Sequence, residues 1–203
     1  MLPIAVLVSG SGSNLQALLD ASSADLEFGA RIAVVISDRP GVLALERSAL
    51  SGVPGEVVAW GDYQDREAFS VAVCDTAHRH GAEALILAGF MRILSPVAIG
   101  RYPNRIINIH PALLPAFPGA HAVPAALAHG VKVSGVTVHF VDDEVDHGPI
   151  IAQRAVPVQA DDTEETLHAR IQNEEHVLFP QVVKAFAAGR LRIEGRRVIW
   201  EES

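Results

Sequence analysis

The chain has one cysteine, Cys74, among its 203 residues, so it cannot form a disulfide bond within itself. Secreted and periplasmic proteins of this size commonly use disulfides, whereas cytosolic proteins keep their thiols reduced. The low cysteine content therefore favours a cytoplasmic protein. Cys74 falls in a helical pattern, and we expect it to be a small buried side chain rather than a nucleophile.

Basic residues are also scarce, with 16 Lys and Arg against 24 Asp and Glu and a net charge of −8. A general nucleic-acid binder needs a basic surface that releases phosphate counterions, so no nucleic-acid partner is expected. A small anionic substrate is compatible with this charge if its site gathers local hydrogen-bond donors.

Long apolar runs are missing as well. No stretch approaches the ~20 residues that span a bilayer. The start of the chain, Met1 to Ile4, shows neither the basic nor the apolar region of a signal peptide. We therefore expect no membrane partner. No linker or internal repeat is visible, and we expect one domain over residues 1–203.

Short apolar runs alternate with helical patterns in the first half of the chain. The predicted strands are residues 4–8, 31–37, 56–60, 83–88 and 105–109, and the predicted helices are 14–21, 42–50 and 65–80. This order predicts an α/β fold with a doubly wound, mostly parallel twisted sheet.

The pattern changes in the second half. Val136, Val138 and Phe140 alternate with other side chains, and a second run covers 150–158, which predicts an antiparallel C-terminal portion. A long helix should begin near Asp162 with a capping box to Glu165, and Pro180 should kink or split it. Residues 191–193 and 198–200 are predicted to form a terminal hairpin.

Ligands of open α/β sheets bind beyond the carboxyl ends of the strands. The first such loop, residues 9–14, is rich in Gly and Ser and enters a helix, which is typical of a phosphate site. Ser13 and Asn14 could add donors and cap the helix, and the alternative is a tight turn with a good cap. A dinucleotide site, with Asp38 on a ribose, is disfavoured because Leu15 replaces the third fingerprint glycine.

Three further loops follow predicted strands. Residues 89–95 could wall a flat aromatic ligand or simply pack as an ordinary loop. Asn108 and His110 face the same side of a strand, so they could stabilise one oxyanion or form a buried polar pair. Residues 142–149 are either a solvated acidic turn or a segment that brings Asp146 to His110. In the second case we expect a raised pKa for His110.

The nine histidines also suggest a metal site, with His110, His121, His139 and His147 in the second half. Their spacing matches no familiar zinc pattern, so no metal is expected. His139 alternates with apolar residues along its strand, and we expect it to be structural.

Several segments together resemble the glycinamide ribonucleotide formyltransferase family in order and spacing. These are 10–15 (GSGSNL), 87–95 (LAGFMRILS), 108–115 (NIHPALLP), 138–142 (VHFVD), and Asp146 followed by Gly148-Pro149. The resemblance covers nearly the whole chain. It implies transfer of a formyl group from 10-formyltetrahydrofolate, as co-substrate, to the amine of glycinamide ribonucleotide, without a metal.

The resemblance also implies the role of each site residue. The catalytic residues would be Asn108, His110 and Asp146. The ribonucleotide would contact Gly12, Ser13, Asn14, Gln172 and Glu175. The folate would contact Arg66, Met91, Arg92, Ile93, Leu94, Asn108, Asp142, Asp143 and Glu144. The N-terminal half would thus be mainly nucleotide-binding, and the C-terminal half folate-binding and catalytic.

The implied reaction is a direct acyl transfer. Asn108 and a protonated His110 would stabilise the oxyanion, and Asp146 would keep His110 charged and help to move a proton. The partners would be small-molecule substrates. The chain would form a homodimer, as some relatives do. Two positions depart from the pattern, because Ala116 replaces a commonly basic residue and the segment 119–123 around His121 differs.

Three alternatives remain. A formyltetrahydrofolate hydrolase shares the core, but such enzymes usually carry an N-terminal regulatory domain, whereas this chain begins at its first strand. A methionyl-tRNA formyltransferase would need an RNA-binding extension and a basic surface. A binding module could have kept the pocket and lost turnover.

Overall fold

The computed structural model describes residues 1–201, which form two compact units. The first unit runs from Met1 to Asn108, and the second begins at Ile109. The boundary falls within a strand, so Asn108 and His110 lie two residues apart on one strand although they belong to different units.

The first unit alternates strands and helices, as predicted. Its elements are β1 (Leu2–Val8), α1 (Ser13–Ala24), β2 (Ala30–Ser37), α2 (Leu43–Leu50), β3 (Gly55–Val57), a 3-10 turn (Trp60–Asp62), α3 (Arg66–Arg79), β4 (Ala84–Leu87), α4 (Pro96–Arg101) and β5 (Ile106–His110). The strands are parallel and lie in the order β3-β2-β1-β4-β5.

The central strands of this sheet are buried along their length. Residues Ile4 to Val8 of β1 are fully buried, as are Leu15 and Leu18 on α1. A parallel strand covered on both faces must be apolar at every position, which explains the continuous runs in the sequence. Because Leu7 pairs with Leu87, the loops that follow β1 and β4 leave the sheet side by side.

The second unit contains α5 (Ala122–His129), β6 (Val133–Phe140), β7 (Ile150–Pro157), α6 (Glu164–Ala187), β8 (Leu191–Glu194) and β9 (Arg197–Trp200). β6 pairs with β7 in antiparallel fashion, and β8 with β9 forms the predicted hairpin. β9 also pairs with β7 in parallel, at Ile150 and Arg197. The predicted fold class, mostly parallel α/β with an antiparallel C-terminal portion, is confirmed.

Two local predictions about element ends were wrong. The strand predicted at 56–60 ends at Val57, and Trp60 begins a 3-10 turn that packs its ring on Phe69, with centroids 5.0 Å apart. The capping box of α6 uses Thr163 and Thr166. Asp162 is not the cap because Arg170 binds its carboxylate at 2.7 Å.

Pro180 does not split α6, which continues from Glu164 to Ala187. An internal proline costs a helix about 3 kcal/mol or more because it removes a hydrogen bond. The neighbours Phe179, Val182 and Val183 are fully buried on this helix. Their packing offsets the local cost and keeps the helix in one piece.

Cys74 lies buried on α3, and burial raises the pKa of its thiol to about 11. A thiol that stays protonated at neutral pH is a poor nucleophile, so its predicted packing role is confirmed. In residues 1–201, no helix combines the length and apolarity needed to cross a membrane.

Candidate active site

The loop after β1 enters α1 through Gly12, which is the N-cap residue with φ 73°. We predicted a side-chain cap from Ser13 or Asn14. That was wrong, because helix α1 starts at Ser13 and the cap is a glycine in the left-handed region. The first backbone N–H groups of a helix have no partner within it, so this turn presents donors to an anion.

Helix α2 supports this loop from behind. The Ala44 amide donates to the Gly10 carbonyl at 3.2 Å, and the Arg47 Nε donates to the Ser11 carbonyl at 2.9 Å. A Cβ on Gly12 would lie 2.7 Å from the Cβ of Ala44. Glycine is therefore required here both for its positive φ and for the close approach of α2.

Gly12→Ala is expected to destabilise the protein by about 1–3 kcal/mol, because it combines strain at positive φ with overpacking against Ala44. Urea unfolding monitored by circular dichroism measures this change. Gly10→Ala is the matched control, since a Cβ at Gly10 would meet no atom within 4 Å. Equal stabilities of the two variants would contradict the packing argument.

The loop at 89–95 is fixed by hydrogen bonds at both of its ends. The Met91 amide donates to Ser9 Oγ at 2.8 Å, and the Ser95 amide donates to Ser70 Oγ at 2.9 Å. Leu94 is buried, but Met91 and Ile93 remain 59% and 51% exposed. A loop held this firmly while it exposes apolar side chains is suited to contact a flat ligand.

Arg92 in this loop is held by two groups. Its Nε donates to Asp38 Oδ2 at 2.7 Å, and its guanidinium lies 5.0 Å from the ring centre of Trp60. Asp38 is buried and also binds Arg39. Burial raises the pKa of Asp38, but the hydrogen bonds from Arg39, Arg92 and Ser9 outweigh it and lower the pKa overall. Because arginines occupy both carboxylate oxygens, Asp38 does not serve as the free ribose acceptor of a dinucleotide site.

Two other predicted residues of the first unit, Arg66 and Asn108, lie on α3 and β5. Arg66 is exposed on the first turn of α3. Asn108 is half-buried on β5, opposite Leu87 of β4.

In the second unit, His110 is 4% exposed and ends β5. Its Nδ1 lies 3.3 Å from Asp146 Oδ2, so the predicted approach of the two side chains is confirmed. Asp146 has φ 52°, in the left-handed region that few non-glycine residues adopt. The Gly119 amide donates to the same Oδ2 at 2.7 Å.

His139 also faces Asp146, with Nε2 3.6 Å from Oδ1. Its Nδ1 lies 2.7 Å from the Phe140 carbonyl oxygen. The sequence predicted a structural histidine here, because the alternation on β6 places it among core residues. It is buried as predicted, but it is also a neighbour of the candidate catalytic carboxylate.

Asp146 acts to raise the pKa of His110, as predicted, but the expected net rise above the ordinary value was wrong. Burial lowers the pKa of His110, and the opposing effects of Asp146 and the Phe117 carbonyl are smaller. Burial also acts to raise the pKa of Asp146, but contacts with His139, Gly119 and His110 outweigh it and lower the pKa. At neutral pH, Asp146 is therefore ionised and His110 is predominantly neutral.

The hydrogen-bond partners fix where the His110 proton lies. Nε2 is 2.8 Å from the Phe117 carbonyl oxygen. A carbonyl only accepts, so Nε2 carries the hydrogen and the neutral ring turns its Nδ1 lone pair toward Asp146. The Nδ1 lone pair of His110 and the Asp146 carboxylate can together bind one additional proton. The pair is therefore arranged to accept a proton.

Residues 2–183 match the family described as Formyl transferase. The chain belongs to this family. The crystal structure of glycinamide ribonucleotide transformylase 1 from Symbiobacterium toebii is 49% identical, with a TM-score of 0.97 over 100% of this chain and 95% of that one. The phosphoribosylglycinamide formyltransferase of Escherichia coli strain K12 is 41% identical over 94% of this chain and 89% of its own length.

Other relatives are much longer. The trifunctional purine biosynthetic protein adenosine-3 of Chironomus tentans is 44% identical over 95% of this chain, which spans only 14% of that protein. The chain thus corresponds to one part of such a protein.

In this formyl transferase, the acidic segment from Asp142 to His147 is mostly exposed. Asp142 accepts from the Glu144 amide at 3.1 Å and from His147 Nδ1 at 2.8 Å. Asp143 and Glu144 lie at the surface. On α6, Gln172 is half-buried and Glu175 is 4% exposed.

The groups that shape the chain beyond His110 were not predicted from the sequence. Thr137 Oγ1 donates to the Ala112 carbonyl at 2.7 Å and accepts from the Leu114 amide at 3.0 Å. Gln153 donates to the Leu114 carbonyl at 2.9 Å. A Cβ on Gly148 would collide with the Phe140 carbonyl oxygen. Polar residues on a buried antiparallel pair were the available signal, since such groups need partners.

Proposed function

We propose that the chain transfers a formyl group from 10-formyltetrahydrofolate to the amine of N1-(5-phosphoribosyl)glycinamide, in purine synthesis. The observation that carries this proposal is the contact between His110 and Asp146 at the end of the strand that also holds Asn108. The names of two relatives, phosphoribosylglycinamide formyltransferase and glycinamide ribonucleotide transformylase, support formyl transfer to this ribonucleotide.

The ribonucleotide would bind through Gly12, Ser13 and Asn14, where a helix N-terminus offers backbone donors to a phosphate. Gln172 and Glu175 would complete its site. They lie three residues apart on α6 and therefore share one helical face. The first unit would thus supply the phosphate-binding turn.

The folate would bind through Arg66, Asn108, the loop Met91, Arg92, Ile93 and Leu94, and the segment Asp142, Asp143 and Glu144. Exposed apolar side chains on a fixed loop fit an aromatic ring, and the exposed guanidinium of Arg66 fits an anionic group. The second unit would carry most of the catalytic groups.

In the reaction, the neutral amine attacks the formyl carbon and negative charge develops on the formyl oxygen. The Asn108 amide and the Nε2–H of His110 would donate to this oxygen. A neutral imidazole serves this purpose because it still carries one N–H donor. That N–H now binds the Phe117 carbonyl, so the formyl oxygen must replace this contact when the substrate is bound.

Asp146 and His110 would accept the proton that the attacking amine loses. The proton would lie between the Asp146 carboxylate and Nδ1, where two acceptors now face each other at 3.3 Å. Its return to the leaving folate nitrogen would complete the transfer without a covalent enzyme intermediate. Proton transfer of this kind typically contributes about 10²–10⁴-fold to the rate.

The deciding experiment measures tetrahydrofolate release with and without glycinamide ribonucleotide. A transferase is expected to release it only when the amine is present. Equal release without the amine would show a hydrolase, and no release in either case would show a binding module. Either result would overturn the proposal.

We also propose that the protein acts in the cytoplasm on small molecules alone. The unpaired, buried Cys74 supports a reducing compartment. A homodimer remains a prediction from the resemblance.

A further inference from the structure

The acidic segment from Asp142 to His147 is held by an arginine of the C-terminal hairpin. Arg196 lies in the turn between β8 and β9. Its Nη2 donates to the His147 carbonyl at 2.6 Å, and its Nη1 lies 3.1 Å from His147 Nε2. One guanidinium thus contacts both the backbone and the side chain of the same residue.

Arg196 also lies against the ring of His147. Its Nη1 is 3.1 Å from Nε2 and 3.5 Å from Nδ1. The Nδ1 of the same ring lies 2.8 Å from Asp142 Oδ2. Arg196, His147 and Asp142 therefore form one continuous chain of contacts.

This chain of contacts closes the segment that contains Asp146. Asp142 and His147 lie on either side of Asp146 in sequence, and Asp146 itself has a φ of 52°. A residue in that conformation keeps it only when its surroundings hold the backbone. Joining the two ends of the segment limits the conformations that Asp146 can reach.

The hairpin that supplies Arg196 is itself anchored. Arg197, the next residue, pairs with Ile150 of β7. Strands β8 and β9 are joined by four residue pairs, from Leu191–Trp200 to Glu194–Arg197. The family match ends at residue 183, so the hairpin lies outside the matched region. Arg196 is thus a feature of this chain that the family match does not cover.

We propose that Arg196 and His147 are positioning residues, which hold the Asp142–Asp146 segment so that Asp146 meets His110 and the carboxylates of the segment meet the folate. This inference rests on the proposed function. Neither residue needs to touch a substrate, because both act through the backbone and through Asp142.

The test compares Arg196→Ala with Arg192→Ala. Arg192 lies in the same hairpin and pairs with Glu194 and Glu201, so its loss removes an equal charge without touching the acidic segment. Arg196→Ala is expected to raise the KM for 10-formyltetrahydrofolate and lower kcat, each roughly two- to tenfold, as for loss of a hydrogen bond. The KM for the ribonucleotide should not change.

Amide hydrogen exchange of residues 142–147, measured by mass spectrometry, shows whether Arg196 holds the segment and requires no turnover. Exchange should be faster in Arg196→Ala and unchanged in Arg192→Ala. The double variant His147→Ala/Arg196→Ala should be no more impaired than the worse single variant, because both changes break one chain of contacts.

The outcomes separate this inference from the proposed function. Faster exchange with unaltered folate KM and kcat would overturn the positioning role, as would unaltered exchange or equal effects in Arg192→Ala. Absence of amine-dependent turnover in the unsubstituted protein would instead refute the proposed function, and the exchange measurement would still show whether Arg196 holds the segment.

Discussion

Replacing Asp146 by asparagine is expected to lower kcat by about 10²–10⁴-fold while leaving the binding of both substrates largely intact. An asparagine amide keeps the size of the carboxylate but cannot accept the proton that His110 Nδ1 and Asp146 would share. Steady-state kinetics give kcat, and calorimetry gives the dissociation constant of each substrate. Near-normal turnover would refute the role of Asp146.

The pH dependence of kcat/KM provides the accompanying control. Burial lowers the pKa of His110, so the proton-accepting form of the pair persists below the ordinary histidine value of about 6.5. Activity should therefore fall on the acid side only as pH drops below that value, and this limb should vanish or move in D146N. The exposed Asp161→Asn removes an equal charge outside the site and should keep the unsubstituted profile.

The strands that position the site could be predicted from the sequence because strand periodicity is a local signal. The apolar run that starts at Ile4 and the alternation of Val136 with Val138 each marked a strand whose carboxyl end could be located. Loops that follow strands gather at one edge of a sheet, which allowed Asp146 to approach His110 but left a solvated acidic turn as the alternative. The resemblance to the formyltransferase family favoured the approach.

The pKa shifts of the site could not be predicted from the sequence in the same way. The sequence shows that Asp146 is a potential partner of His110, but it does not show how completely His110 is removed from water. Burial proved the larger effect and reversed the expected pKa shift. The position of His139 opposite Asp146 was missed for a related reason, because alternation identifies a buried face but not the group that lies across from it.

Tertiary packing also overrode two local signals. Pro180 is an unfavourable helix residue, yet buried neighbours such as Phe179 keep α6 continuous. Trp60 has a high strand propensity, yet it leaves the sheet to pack on Phe69 and under Arg92. Both outcomes depend on tertiary packing, so local propensity could not have predicted them.

Removing the imidazole in His110→Ala is expected to lower kcat by about 10²–10³-fold, equivalent to roughly 2.7–4 kcal/mol for one oxyanion donor. The loss should fall on kcat rather than on substrate binding, because the Nε2–H donates to an oxygen whose charge appears only in the transition state. Single-turnover kinetics with both substrates saturating measures the chemical step directly. His78→Ala, at an exposed position on α3, is the matched control.

The double variant His110→Ala/D146N tests whether the two side chains act as a unit. Groups that share one proton lose their joint contribution when either is removed, so the double variant should be no slower than the worse single variant. Losses that multiply would mean that His110 and Asp146 act on separate steps. The 3.3 Å contact between Nδ1 and the carboxylate would then serve the structure of the resting protein rather than the transfer of the proton.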